Sequence, residues 1–212
     1  MTDHYFSAEP SAASRPREVR VRLAGREFDV MTDGGVFSAE RLDLGTSVLL
    51  REVPDPPGEG ALLDLGCGWG PLALTLGLLS PRARVWAVDV NPRARELTAA
   101  NAARLRLANV RAAAAQDVPD AVRFAAIWSN PPIRVGKEQL HGLLLRWLPR
   151  LTDDGQAHLV VQRNLGADSL HRWLAGELAS GELAAEGLAA GAGWSVERAG
   201  SAKGFRVLRI SR

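Results

Sequence analysis

The sequence predicts an α/β fold: a doubly wound, mostly parallel seven-stranded sheet with an antiparallel terminal β-hairpin, preceded by a small N-terminal β-hairpin and helix extension. Three observations predict it. From residue 61 onward short apolar runs alternate with stretches of helical period, the pattern of a parallel sheet covered on both faces. The last two apolar runs flank Gly200, Ser201, Ala202, Lys203 and Gly204 with no helix between them, so the final strand must run antiparallel to its neighbours. Ahead of all this, residues 19–30 alternate apolar and polar positions around Gly25, well separated from the rest by Pro54, Pro56, Pro57 and Gly58.

In chain order, residues 1–17 read as a loose arm of Ser, Ala and Pro without sustained period. Val19, Val21 and Leu23 alternate with Arg20 and Arg22, and Phe28 and Val30 continue the alternation beyond Gly25, which gives the first hairpin. A helix is expected over 42–53, ended by the proline cluster, so 18–57 forms the extension and 58–212 the main domain. Within that domain strands are expected at 61–65, 85–88, 110–113, 124–128 and 157–162. Helices are expected at 71–79, 92–106, 137–148 and 167–180. The Gly- and Ala-rich segment 176–193 reads as a weak helix followed by a loop, and 194–197 with 205–210 as the terminal hairpin.

Composition limits the function classes. With 46% hydrophobic residues over 212 positions, the chain can bury a sizeable core. A single cysteine, Cys67, excludes an intramolecular disulfide, and no apolar run is long or clean enough to span a bilayer. The polar N-terminus carries Asp3, His4 and Glu9 and lacks a signal-peptide pattern, so a cytoplasmic protein is expected. His4, His141, His158 and His171 are scattered without metal-ligand spacing, and no metal is expected. The net charge of +2 is uneven: residues 1–60 hold seven Arg against eleven acidic residues, −4, which leaves +6 for the rest. That excess is almost all arginine, which suits bidentate phosphate contacts and admits a nucleic-acid partner, although arginines on a helix such as 92–106 also serve as its solvated face.

Two motifs carry chemistry. Asp64, Leu65, Gly66, Cys67, Gly68, Trp69 and Gly70 follow the first apolar strand and open a helix, so the backbone can turn tightly and approach a ligand. Asp89 stands at the end of the next strand, where a carboxylate can accept from both hydroxyls of a ribose. A dinucleotide fingerprint places its third glycine three residues after the second; here Gly70 follows Gly68 by two, so the spacing fails for NAD. The second motif is Asn130, Pro131, Pro132 and Ile133, directly after the run 124–128. An Asn-Pro step is a common turn initiator. At a strand end beside a cofactor loop, however, the Asn130 amide and the Pro131 carbonyl form two fixed acceptors for a substrate NH2 group, which aims the nitrogen lone pair in one direction.

On these residues the chain resembles the class I S-adenosylmethionine-dependent methyltransferases. The resemblance implies S-adenosyl-L-methionine as cofactor, with Asp64 and the backbone of Gly66, Cys67, Gly68 and Gly70 holding its methionine end. It further implies Asp89 and Val90 at the ribose, Gln116 and Asp117 at the adenine, and Asn130 beside the methyl group. Asp117 could equally cap a short helix. Gly35, Val36, Phe37 and Ser38, with Leu42, Asp43, Leu44, Gly45 and Thr46, look like the segment before the cofactor domain in small-subunit rRNA guanine-N2 methyltransferases of the RsmC type. That likeness extends from about Tyr5 to the end and implies RNA, ribosomal RNA or a ribosomal particle, as partner.

Two departures stand out. Many amino-methyltransferases carry Tyr or Phe after the prolines, where this chain has Ile133, which packs but offers no π face. Phe37 could supply that face or lie in the core beneath the helix 42–53. The bacterial rRNA enzymes also carry a duplicated N-terminal domain, and this sequence contains one cofactor domain only. Arg134 and Lys137 could meet a substrate phosphate or solvate the start of the helix 137–148; cations are disfavoured there by the macrodipole, which favours the functional role. The expected reaction is methyl transfer to an exocyclic guanine nitrogen, driven by positioning rather than by a strong base. Transfer to a protein glutamine or a small molecule would use the same acceptors, and a cofactor-binding module dependent on an accessory partner is the alternative of another class.

Overall fold

The computed structural model describes residues 13–180 and 193–212. Most of the expected arm, and the loop expected before residue 193, lie outside the described residues. Strands β1 (Arg17–Leu23) and β2 (Arg26–Thr32) form the separate antiparallel hairpin, in register from Arg17↔Thr32 to Leu23↔Arg26. Helix α1 (Leu44–Glu52) follows. The main sheet then builds as β3 (Ala61–Leu65), α2 (Pro71–Leu79), β4 (Arg84–Val88), α3 (Pro92–Arg104) and β5 (Val110–Ala113). Its second half is β6 (Phe124–Ser129), α4 (Lys137–Trp147), β7 (Leu151–Gln162), α5 (Ala167–Ser180), β8 (Ser195–Ala202) and β9 (Phe205–Ser211). The order across the seven strands is β5-β4-β3-β6-β7-β9-β8, parallel except where β9 runs against β7 and β8. The expected fold class is the observed one.

Both faces are covered. One core layer packs Leu140, Leu144 and Trp147 of α4 and Leu170 and Leu174 of α5 on the sheet. The opposite layer joins Val48 and Leu49 of α1 to Leu72 and Leu76 of α2. A third cluster places Val21, Leu23 and Val30 of the hairpin against Trp69, Leu74, Ala94 and Ala102, so the extension shares a core with α2 and α3. Asn101 of α3 reinforces that junction in the manner of a backbone peptide. Its amide donates to Met31 O at 2.8 Å and to Trp69 O at 2.9 Å, while its carbonyl accepts from Met31 N at 2.7 Å. The hairpin and the loop after β3 are thereby tied through one side chain, with all three bonds at normal hydrogen-bond length.

Local differences from the expected boundaries have physical causes. Helix α1 starts at Leu44 rather than at 42 because Asp43 is its N-cap, with Oδ2 accepting from Thr46 N at 2.9 Å. Strand β7 begins at Leu151, six residues early, since the Asp153-Asp154-Gly155 turn signal is a bulge between the Phe124↔Leu151 and Ala126↔Gln156 pairings. Strand β8 continues to Ala202, so the terminal turn is Lys203-Gly204 alone, with φ of 49° and 81°. No helix among the described residues is long and apolar enough to cross a membrane.

Candidate active site

The strand order reverses between β3 and β6, and open α/β sheets bind ligands beyond the carboxyl ends of the strands at such a point. Register brings the two motifs together there. Leu65 pairs with Val88 on one side and Ser129 on the other, which sets Gly66 between Asp89 and Asn130. The Ser129 hydroxyl donates to Leu65 O at 2.6 Å and pins the two strand ends.

The loop after β3 needs its glycines. Gly66, Gly68 and Gly70 have φ of 82°, 57° and 100°, and a Cβ on Gly70 would stand 3.0 Å from Thr98 Oγ1. Thr98 is itself fixed, donating to Gly68 O at 2.9 Å. Gly70 caps α2 and does not line the cavity above the loop. That cavity, about 20 Å³, is bounded by Asp64, Gly66, Cys67, Gly68, Asp89 and Asn130 and roofed by Val36, Phe37 and Ser38. It has room for about one water. Cys67 is buried, and burial followed by the charges of Asp89 and Asp64 pushes its thiol well above the usual range, which makes it a wall rather than a nucleophile.

Asp64 is wholly buried. Its Oδ2 accepts from Ala73 N at 2.8 Å, whereas Oδ1 has no partner among the described residues. Burial, with the nearby Asp89 charge as a lesser contribution, pushes its carboxyl up to about 8. Such a group is suited to meet a cationic ligand atom, because an ammonium would satisfy the unpaired oxygen and offset the desolvation. Asp89 is also buried and shifted upward by burial; its oxygens accept from Gly68 N and Asn91 N, each at 2.9 Å. Each oxygen keeps a further lone pair for a ligand hydroxyl.

Asn130 is held from the side by α1. Its Nδ2 donates to Asp43 Oδ2 at 2.8 Å and to Thr46 Oγ1 at 3.1 Å. The carboxylate can only accept, so it fixes which end of the amide is which and leaves Oδ1, which makes neither of these contacts, as an acceptor. The Pro131 carbonyl takes Ile133 N at 2.9 Å and retains its second lone pair. Asn130, Pro131, Pro132, Ile133 and Arg134 line a larger cleft of about 630 Å³ that shares Val36, Phe37, Ser38, Asp43 and Asn130 with the narrow cavity. Phe37 is 36% exposed and stands in both walls, which corrects the alternative of a core residue beneath the helix.

Other expected site residues fall outside both cavities. Val90 is exposed at the surface, and its carbonyl accepts from Arg95 Nη1 at 2.9 Å. Gln116 and Asp117 are exposed on a short 3₁₀ turn after β5, where Asp117 Oδ2 accepts from Ala114 N at 3.3 Å in the manner of a cap. Lys137 is exposed at the first turn of α4 and lines neither cavity. Three residues given no site role from the sequence are central to the geometry: Asp43, Thr46 and Asn91. Asn91 caps α3, accepting from Arg93 N at 3.0 Å, and donates to Gly35 O at 2.9 Å, which holds the roof of the cavity. Its Asn-Pro step was a readable cap signal.

The comparisons with known proteins agree with this geometry. YbxB of Bacillus subtilis, an uncharacterized protein, is 36% identical over 172 residues, 80% of this chain and 86% of its own length. Ribosomal RNA small subunit methyltransferase C of Pseudomonas aeruginosa is 36% identical over 163 residues, 73% of this chain and 47% of its own. The fold matches that of T. thermophilus 16S rRNA N2 G1207 methyltransferase (RsmC), solved with AdoMet and guanosine. The TM-score is 0.70 at 23% identity, covering 97% of this chain and 52% of that one. The chain thus spans about half the length of the rRNA methyltransferases it matches. Residues 27–187 match the model of the methyltransferase small domain. With a sheet of this order, a glycine loop at its switch point and the Asn130-Pro131-Pro132 turn beside it, the chain belongs to the methyltransferase small domain family of S-adenosylmethionine-dependent methyltransferases.

Proposed function

We propose that the protein methylates the exocyclic amino group of a guanine in RNA, on a substrate resembling ribosomal RNA. The observation that carries this reading is the clamped Asn130 amide, whose Nδ2 is spent on Asp43 and Thr46, which leaves Oδ1 as an acceptor on a residue that lines the cleft together with Pro131. S-adenosylmethionine, when bound, supplies an activated sulfonium methyl. The unpaired Asp64 Oδ1 suits the cofactor's ammonium, the glycine backbone its carboxylate end, and Asp89 its ribose. The protein's remaining task is positioning. An NH2 group with both hydrogens taken by Asn130 Oδ1 and Pro131 O presents its lone pair away from them. The same acceptors share the positive charge that develops on nitrogen. No side chain is required as a strong base. A paired guanine would first have to leave its helix, at a few kcal/mol, so a loop or single-stranded target is favoured.

A protein glutamine side chain is the second reading, favoured by Ile133, which gives the cleft no aromatic face at that position. Methyl-labelled cofactor offered with bare small ribosomal subunits, total RNA and protein extract separates the two. Label is expected in RNA, and Asn130→Ala is expected to reduce it at least 100-fold while the thermal shift from S-adenosylmethionine persists, about 3 kcal/mol being typical for one lost charge-stabilising contact. Label entering protein alone would overturn the RNA reading.

A further inference from the structure

The cleft beside Asn130 has two kinds of lining. Its inner wall is apolar: Phe37, Ile133, Val160, Leu165 and Phe205, interrupted by the amide of Gln162. Its rim carries four arginines, Arg15 just ahead of β1, Arg17 at its first position, Arg41 before α1 and Arg134 after the proline pair, against the single exposed carboxylate of Glu40. All four are exposed. Arg17 shares an ion pair with Glu40 at 3.3 Å, both partners open to water, so little free energy holds it there. The guanidinium groups of Arg15, Arg41 and Arg134 make no hydrogen bond or ion pair among the described residues. Three chain segments far apart in sequence thus bring cations to one opening. Residues 1–60 as a whole are acidic, which makes their placement there a local exception to the charge balance of that region.

An apolar slot a nucleobase could occupy, ringed by forked donors, matches a base turned inward with its flanking phosphates left outside. A peptide glutamine would need the slot and would gain nothing from the ring. We infer that Arg15, Arg41 and Arg134 hold the phosphodiester backbone on either side of the target nucleotide, so the stretch from Arg15 to Arg41 joins the turn after Asn130 as a substrate-binding element for single-stranded RNA. This rests on the RNA reading above, and adds to it the residues that recruit the strand.

The test uses a fluorescein-labelled, single-stranded oligoribonucleotide of mixed sequence, with anisotropy titrations across a salt series. The full chain is compared with the triple variant Arg15→Ala, Arg41→Ala, Arg134→Ala and with a charge-matched control, Arg82→Ala, Arg84→Ala, Arg198→Ala, whose exposed arginines lie away from the cleft. The rim variant is expected to lose about 2 from the slope of log K against log salt, and roughly tenfold or more in affinity at moderate salt. The control is expected to match the wild type. Both variants are expected to keep the S-adenosylmethionine thermal shift, which reports an intact fold. If the wild type methylates RNA while the rim variant keeps its slope and affinity, or the control loses as much, the inference fails alone. If the wild type neither binds nor methylates RNA, the RNA reading fails and takes the inference with it.

Discussion

The contact between Asn130 and Asp43 can be tested by an isosteric change, Asn130→Asp. In the wild-type structure the amide nitrogen lies 2.8 Å from Asp43 Oδ2 and 3.1 Å from Thr46 Oγ1. The substitution replaces a donor by a carboxylate oxygen facing another carboxylate. One of the two must then take a proton or separate. At pH 7, about three units above the unfolded-state pKa near 3.9, that protonation costs about 4 kcal/mol. Both positions are half-buried, and water screens part of the repulsion, so a net penalty of about 2 to 3 kcal/mol is expected. The sign follows from a folded-state pKa raised above the unfolded one: the penalty shrinks as pH falls and grows as pH rises. Thermal denaturation of wild type and variant from pH 5 to pH 8 reads it directly. The variant should trail by roughly 4 to 12 °C at pH 7 and recover up to about half of the gap at pH 5, where the pH is still about one unit above the unfolded-state pKa. In an Asp43→Ala background the same substitution should cost far less, since no second carboxylate is present. A deficit constant across this pH range, or undiminished without Asp43, would refute the clamp.

Two further perturbations test buried ionisable groups. His158 on β7 is 3% exposed, with both ring nitrogens unpartnered among the described residues, and burial, with the Arg209 charge second, holds its pKa down to about 4. The unfolded chain therefore binds the proton first, so the wild type should lose up to about 3 kcal/mol relative to His158→Leu as pH falls from about 6.5 to 4; urea midpoints at pH 7 and 4.5 that differ equally in both proteins would contradict this. Asp64, raised to about 8, costs the ligand-free protein stability as pH rises from about 4 to 8. Asp64→Asn should accordingly raise the ligand-free Tm at pH 7.5 and shrink the shift produced by S-adenosylmethionine; a lowered ligand-free Tm would count against the unpaired oxygen.

Much of the architecture was legible because it is written in local pattern. Apolar runs such as 61–65 and 85–88, separated by helical stretches, dictate a parallel sheet, and glycines at 66, 68 and 70 dictate a left-handed loop beside it. Asp89 and Asn130 were readable as candidate site residues because each stands one position beyond a strand. The supports of that site were not. Asp43 and Thr46 meet Asn130 across 87 and 84 residues, and no period or spacing announces a pairing that only the packing of α1 on the sheet creates. Asp43 could be read as a cap but not as a partner. The bulge at Asp153 to Gly155 failed for a related reason: its residues carry the local signature of a turn, and only the pairing with β6 absorbs them into a strand. Val90, Gln116 and Lys137 were placed by motif neighbourhood, which fixes sequence distance to a site but not the direction of a side chain.

The stretch Val36 to Ser38 stands in the wall of the narrow cavity over the glycine loop and in the wall of the wide cleft. A ligand over the glycine loop and a ligand in the cleft would both pack against this one short partition. Whatever free energy one ligand spends or gains in shifting it is felt at the other opening. Linkage makes the exchange reciprocal: if the first ligand changes the affinity of the second by some factor, the second changes the first by the same factor. The partition is thus a place where two molecules that must meet can report each other's presence, although neither touches the far side of the wall.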